Sequence, residues 1–344
     1  MPKFERIAWS SVDWAKLDSY PDRTVYQTRA WMDFIAHTQQ AEPVVAVLRE
    51  GASELGFFSG LIIRKYGLPI LGSPFKGWTT GYMGFNLKDG VPREVAAQAL
   101  TEFAFRDLRC VHLEFMDRRL GFEDVDGLGF DRSAESSLEI DLTHSEDELF
   151  ANMASACRRC IRKANKSGVV IEEASDLAFA DEYYAQLQEV FAKQNLVATY
   201  DAQRVRALIQ NVHPTGALLL LRARNAEGKG IASGIFPAFN DTMIFWGGAS
   251  WREYQGVRPN EAIQWYAMRY WKERGISRYD MSGMGRARDE YKRKYGGKEI
   301  NVPWLRCSKY PGLRQMRMLA QQRQKAQQRL QGSFKKIHSR LLGS

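Results

Sequence analysis

The chain has 344 residues and a net charge of +9, from 49 Lys and Arg against 40 Asp and Glu. Its 44% hydrophobic, 12% aromatic and 26% charged residues are globular usage for about two domains, which excludes collagen, disordered and coiled-coil classes for its body. The longest apolar runs, Val44 to Leu48 and Ala217 to Leu221, fall far short of the ~20 residues of a membrane helix, and the start carries acids and two Trp where a leader would be apolar. A soluble, cytoplasmic protein is expected.

In chain order, Ser10 or Ser11 suits the cap of a short helix through Leu17. Thr28 caps a predicted helix to Gln39, in which Trp31, Phe34 and Ile35 recur at helical spacing. Pro43 to Leu48 and Leu55 to Ile63 read as a β-hairpin. Gly72 to Gly84 reads as an irregular aromatic loop containing Phe75, Trp78 and Tyr82. Val91 to Leu108 reads as a helix, and Val111 to Met116 as a strand ending at Asp117. After a break near residues 131–137 comes a strand, Ser137 to Leu142. One long helix is predicted from a Thr143 or Ser145 cap to about Lys166, before Gly168. Val169 to Glu172 is a strand; Asp181 to Gln194 and Ala202 to Val212 are helices. Three strand-like runs follow: Ala217 to Arg222, Ile231 to Phe236 and Thr242 to Gly247. Pro259 opens a helix to about Arg274, Ser277 to Met281 is a strand, Arg286 to Lys294 is helical, and Val302 to Cys307 is the last strand.

Leu313 to Ser344 contains Arg314, Arg317, Arg323, Lys325, Arg329, Lys335, Lys336 and Arg340 and no acid, so nearly all the net charge sits there. Such a tail suits nucleic acid or an anionic membrane surface. Cys157 and Cys160 form a single CxxC without a second pair or a nearby His, so two reduced thiols are expected and no metal site. The five histidines form no cluster, which gives a His-based nucleophilic triad no support.

The second half runs helix, strand, helices, three antiparallel strands, loop, helix, strand, helix, which is the order of a GNAT-type acyltransferase fold. There the loop after the third strand cradles the pyrophosphate of coenzyme A, and the acetyltransferase pattern is Gln/Arg-x-x-Gly-x-Gly/Ala. In this chain the loop is Gln255-Gly256-Val257-Arg258-Pro259-Asn260: Arg258 and Asn260 fill the Gly slots and Pro259 removes an N–H. The blocks at 140–173, 247–275 and 279–297 resemble the FemX/FemAB family of tRNA-dependent aminoacyltransferases that build peptidoglycan side branches. The likeness covers residues 136–300 well, and residues 1–135 more loosely through Gln27-x-x-x-Trp31 and the strand ending at Asp117. It implies an α/β (α+β) fold with two GNAT-like domains whose mixed sheets are flanked by helices. The expected division is 1–135 on the acceptor side, 136–310 on the acyl-transfer side, and a basic helical tail over 311–344.

Tyr291-Lys292-x-x-Tyr295-Gly296 is similar to the family's Phe-Lys-x-x-Phe-Gly, whose lysine sits at the reacting centre. The resemblance therefore makes Lys292 the donor to the tetrahedral oxyanion and Asp117 the group that orients or deprotonates the acceptor amine. Trp31, Lys76, Trp78, Tyr82, Tyr254, Asn260 and Tyr291 are the substrate-binding candidates. Arg158, Arg159, Arg162 and Lys163, stacked as i,i+4 pairs, together with Arg323, Lys335 and Lys336 of the tail, are the tRNA-binding candidates. No lysine lies between Trp31 and Thr38, where the family holds its acceptor's diphosphate, which argues against a nucleotide-linked acceptor. The expected activity is transfer of an aminoacyl group from aminoacyl-tRNA to an amine on a peptidoglycan precursor or a small molecule, without cofactor. An acyl-CoA-dependent N-acyltransferase and a non-catalytic nucleic-acid binder are the alternatives.

Overall fold

In the computed structural model, residues 1–193, 196–283, 286–310 and 312 are described. The expected tail, with Arg323, Lys335 and Lys336, therefore lies outside the described residues, Gly312 apart. No helix among the described residues is long and apolar enough to cross a membrane.

The strands are β1 Lys3–Ile7, β2 Glu42–Glu50, β3 Ser53–Lys65, β4 Leu68–Ser73, β5 Phe85–Leu87, β6 His112–Met116, β7 Asp131–Asp141, β8 Val170–Ala174, β9 Leu218–Arg224, β10 Gly230–Phe239, β11 Thr242–Ile244, β12 Gly247–Ser250, β13 Arg278–Gly283 and β14 Lys298–Ser308. They form one mixed sheet in the order β1-β2-β3-β4-β6-β14-β7-β13-β11-β10-β9-β8, with β5 on β3 and β12 on β10. The pairs β4/β6 and β11/β13 are parallel, one in each half of the chain. The seam is β14, whose Trp304 to Ser308 pair with β6 while Lys298 to Arg306 pair with β7. The strand β7 runs across residue 135, so the expected division falls inside a continuous ladder.

The helices are α1 Trp14–Asp18, α2 Arg29–Gln39, α3 Arg93–Glu102, α4 Glu146–Asn152, α5 Ser155–Lys166, α6 Ala178–Lys193, α7 Ala202–Val212, α8 Pro259–Glu273 and α9 Arg286–Arg293. Thr28 caps α2 by accepting from the Trp31 N–H, and Trp31, Phe34 and Ile35 are wholly buried. Burying each such side chain is worth about 1.5–3 kcal/mol. This face of α2 packs against α7, in a core that also holds Tyr183 and Leu208. Helices from both halves thus share one hydrophobic cluster, while two further clusters fill the separate halves.

Several expectations are corrected. The single helix from Ser145 to Lys166 is two helices. Ser145 and Glu148 form the capping box of α4, but Met153 is extended, Ala154 donates to the Lys294 carbonyl at 2.9 Å, and α5 starts afresh. The segment Val91 to Leu108 stays regular only over α3; its last turn widens, with the Leu108 N–H reaching the Phe103 carbonyl. The run Thr242 to Gly247 splits into β11 and β12, which leave each other as β11 turns to β13 and β12 stays on β10. The strand β1 carries no alternation signal, having only Phe4 and Ile7 apolar, and β4 is cut by Pro69 and Gly72.

Candidate active site

Each parallel pair ends in an aspartate, and the two are held differently. Asp117 follows β6 and is 3% exposed. Its Oδ2 accepts from the Phe85 N–H at 3.0 Å and from Arg93 at 2.5 Å, and its Oδ1 from the Arg119 N–H at 2.8 Å. Arg93 also bonds Asp22 at 3.0 Å, and Asp22 accepts from Asn86. Gly84, at φ +66°, packs so close that a Cβ there would lie 2.5 Å from Asp117 Oδ2. Burial pushes the Asp117 carboxyl up, while Arg93 and the two amides pull it back.

Asp280 lies on β13 and is 2% exposed. Its Oδ1 accepts from the Ser137 hydroxyl and, at 2.7 Å, from the Ser282 N–H. The Tyr82 phenol also lies beside this carboxylate, close enough to interact with it. The strand end bulges after it, with Ser282 at φ +60°. Lys292, 5% exposed, locks this bulge: its Nζ donates to the carbonyls of Met281, Ser282 and Gly283 at 2.5, 2.8 and 2.7 Å. Three ammonium hydrogens meet three backbone oxygens. The flanking motif residues explain the spacing. Tyr295 is buried and donates to the Tyr291 hydroxyl at 3.0 Å. Gly296 turns at φ +87°, where a Cβ would stand 2.7 Å from the Asn152 carbonyl oxygen.

Beside Asp280 lies a cavity of about 50 Å³ lined by Tyr26, Tyr82, Met116, Glu135, Ser137, Asp280 and Ser282, with Gly81, Ser136, Gly283 and Val302. It straddles the seam, since Tyr26, Tyr82 and Met116 come from the first half and the Asp280 strand from the second. Tyr82 is 4% exposed, and its hydroxyl lies beside the Asp280 carboxylate without a hydrogen bond of regular geometry. Burial and the nearby Asp280 charge raise this phenol well above its usual range, so it stays protonated. Arg118 lies 5.7 Å from the Tyr82 ring centre and pairs with Glu139. Burial works against the Arg118 charge, yet Tyr82 and Glu139 raise the guanidinium above its ordinary value.

The other expected residues fall around this centre or away from it. Trp31 lies in the core; its indole donates to Thr80 at 3.1 Å and supports Tyr26 edge-on, at 4.9 Å between centroids. Lys76 pairs with Glu135 of the lining and covers the Trp304 ring at 4.6 Å. Trp78 is half-buried against Phe75, and its carbonyl accepts from Arg204. Tyr291 sits beneath Lys294, 4.1 Å from its ring centre. Tyr254 meets Lys229 at the β9–β10 turn, and Asn260 donates to Ser250 at 3.0 Å. Neither lines the cavity. Arg158 folds back on the carbonyls of Ala151 and Met153, both at 2.6 Å. Arg159, Arg162 and Lys163 are exposed on α5, opposite the buried Cys157, Ile161 and Ala164. Burial pushes the Cys157 thiol up to about 12, which leaves it a packed, protonated side chain.

Tyr26, Arg118, Glu135 and Ser137 are lining residues that the sequence left out, while Asp280 reads from sequence as a turn aspartate accepting N–H bonds, as it does from Ser282. Asp280 had a signal, its place in a strand after the Pro259 helix, but so had many turn aspartates.

A GNAT fold implies coenzyme A, with its pyrophosphate at the start of α8. Here Arg258 is left-handed at φ +63°, Pro259 at the first position has no N–H, and Glu261 in the first turn pairs with Lys294 at 2.6 Å. These residues do not fit a pyrophosphate cradle.

Residues 151–293 match the family model described as the acetyltransferase (GNAT) domain. The structure superposes on the crystal structure of FemX with a TM-score of 0.71 at 12% identity, covering 87% of this chain and 96% of that one. The chain has a FemX-like, tandem GNAT fold. The domain match over residues 151–293 is what speaks for an enzyme of the acyltransferase class. A tandem GNAT protein from the clavulanic acid biosynthesis pathway (TM-score 0.53, 13% identity, 90% and 99% covered) has a similar fold. So has L-PGS from Bacillus licheniformis (TM-score 0.53, 9% identity, 84% and 91% covered). A search of curated proteins finds no match. This FemX-like chain shares shape, at identities that speak for the fold alone.

Proposed function

We propose that the chain transfers an aminoacyl group from aminoacyl-tRNA to an amine, with the first half on the acceptor side and the second on the acyl side. The observation that carries this reading is the start of α8, where Arg258, Pro259 and Glu261 replace the donors a coenzyme A pyrophosphate needs. The acyl group then has to arrive on another carrier, and the family resemblance supplies aminoacyl-tRNA. The exposed Arg159, Arg162 and Lys163 offer it phosphate contacts without reading sequence. The amine attacks the ester carbonyl in the seam cavity, an amide forms, and the terminal ribose hydroxyl leaves. Lys292 acts as a positioning residue that holds the bulged end of β13 against the cavity; Asp117 does the same for the Phe85 segment through Arg93. The acceptor is an amine on a cell-wall precursor or a small molecule.

The test is transfer of label from a mixed aminoacyl-tRNA pool to a panel of amines. Amide product that disappears with ribonuclease and needs no coenzyme A is expected. Ribonuclease-resistant product that requires an acyl-CoA overturns the reading, and RNA binding without any product replaces it with a binding role.

A further inference from the structure

Two polar groups of the seam cavity are complementary, a phenol and a carboxylate. Asp280 is engaged through Oδ1 by Ser137 and the Ser282 amide, and the Tyr82 hydroxyl, which makes no hydrogen bond of regular geometry, lies close enough to interact with it; both residues line one small space. The phenol stands beside the carboxylate, near enough for Asp280 to raise it, without a hydrogen bond of regular geometry. Asp280 is fixed through Oδ1 by Ser137 and the Ser282 amide. Tyr82 is fixed by the edge-on Tyr26 ring at 5.8 Å. The gap admits a few waters, the scale of an amine nitrogen beside a carbonyl oxygen.

Resting on the proposed acyl transfer, we infer that Asp280 is the general base of the reaction and Tyr82 the donor to its oxyanion. The neutral amine attacks the ester carbon and a C–N bond forms. The amine proton passes to Asp280 Oδ2, and the negative charge on the former carbonyl oxygen accepts the Tyr82 hydrogen. Collapse breaks the C–O bond to the ribose, whose oxygen takes the proton back from Asp280. Amide and deacylated tRNA leave, and the carboxylate is restored. Lys292 cannot serve as direct donor in this arrangement without giving up one of three carbonyls; it keeps the wall that carries Asp280 in place. The charges facing the cavity are Asp280, Glu135 with its partner Lys76, Arg118 with its partner Glu139, and Lys292 behind the strand. Among the described residues, Asp280 is the one of these acids with no cation among its hydrogen-bond partners.

The experiment compares Asp280→Asn and Tyr82→Phe with the wild-type full chain in the ribonuclease-controlled assay. Asp280→Asn keeps an acceptor for Ser282 and is expected to lower kcat by about 100-fold with little change in KM, abolishing the acidic limb of the kcat–pH profile. Tyr82→Phe deletes a hydroxyl without a regular hydrogen bond, so its melting temperature should not fall while kcat drops about 100-fold and the acidic limb stays. An Asp280→Asn protein that melts like the wild type and retains both kcat and the limb overturns the assignment of the base. A Tyr82→Phe protein with full kcat overturns the assignment of the donor. Both results would leave the proposed function standing. A wild-type chain without ribonuclease-sensitive transfer removes that function and this inference together.

Discussion

Asp117 and Asp280 occupy matching places, each at the outgoing end of a strand paired in parallel, one per half of the sheet. The first has every oxygen engaged: an arginine and an amide on Oδ2, an amide on Oδ1. The second takes a hydroxyl and an amide on Oδ1, no cation among the described residues, and lines a cavity beside the Tyr82 phenol. The same residue type at the same architectural position is therefore a strut in one half and a reactive group in the other. What separates them is the neighbouring cation. Arg93 points at Asp117, whereas the lysine beside Asp280 spends its hydrogens on backbone carbonyls.

Four measurements can break or sharpen this contrast. Asp117→Ala should be the costliest change, since it leaves Arg93 buried with Asp22 alone; a loss of about 3–5 kcal/mol in chemical denaturation is expected. The acidic limb of the kcat–pH profile should persist in the protein that remains folded. If that limb disappears instead, the roles of the two aspartates are exchanged. Lys292→Met should follow, costing about 3 kcal/mol because the buried Met281 carbonyl and the part-buried carbonyls of Ser282 and Gly283 lose their donor. Melting temperature and kcat should fall together, as the Asp280 wall loosens. An unchanged melting temperature would show that the ammonium does not hold the strand end.

Glu114 gives a smaller effect, confined to the first half. Burial pushes its carboxyl from 4.5 up to about 7, with Arg306 and Lys76 opposing. The folded state thus binds its proton more tightly than the unfolded chain. The stabilisation is complete below about 4.5 and is lost as pH rises through about 7. Glu114→Gln should flatten that fall, on the order of 2 kcal/mol, in denaturation measured at a series of pH values. Arg162→Ala should be the mildest, leaving stability nearly unchanged and reducing the salt slope of tRNA binding by about one. A slope that does not change would take α5 out of the RNA-facing surface.

Much of the second half was legible because its signals are local. The Ser145–Glu148 box, Pro259 opening α8 and Gly296 closing the motif each act within a few residues. The first half was read less well: β1 and β4 went unseen because a mixed or Gly- and Pro-cut strand has meaning only once its neighbours are beside it. The break at Met153 was hidden for the same reason, since its cause is a carbonyl more than a hundred residues later.

The amino-acid sequence by itself determined most of the element order in the second half, the blocked start of α8 and the lysine-bearing motif, because caps, periodicity and a missing proline N–H are properties of short stretches. Only the tertiary structure decided that Trp31 is buried, that Arg158 folds back on α4, and that Asp280 rather than Asp117 lines the seam cavity. Which residues line that cavity depends on elements drawn from both halves of the chain, and those meet only when the sheet closes across β14.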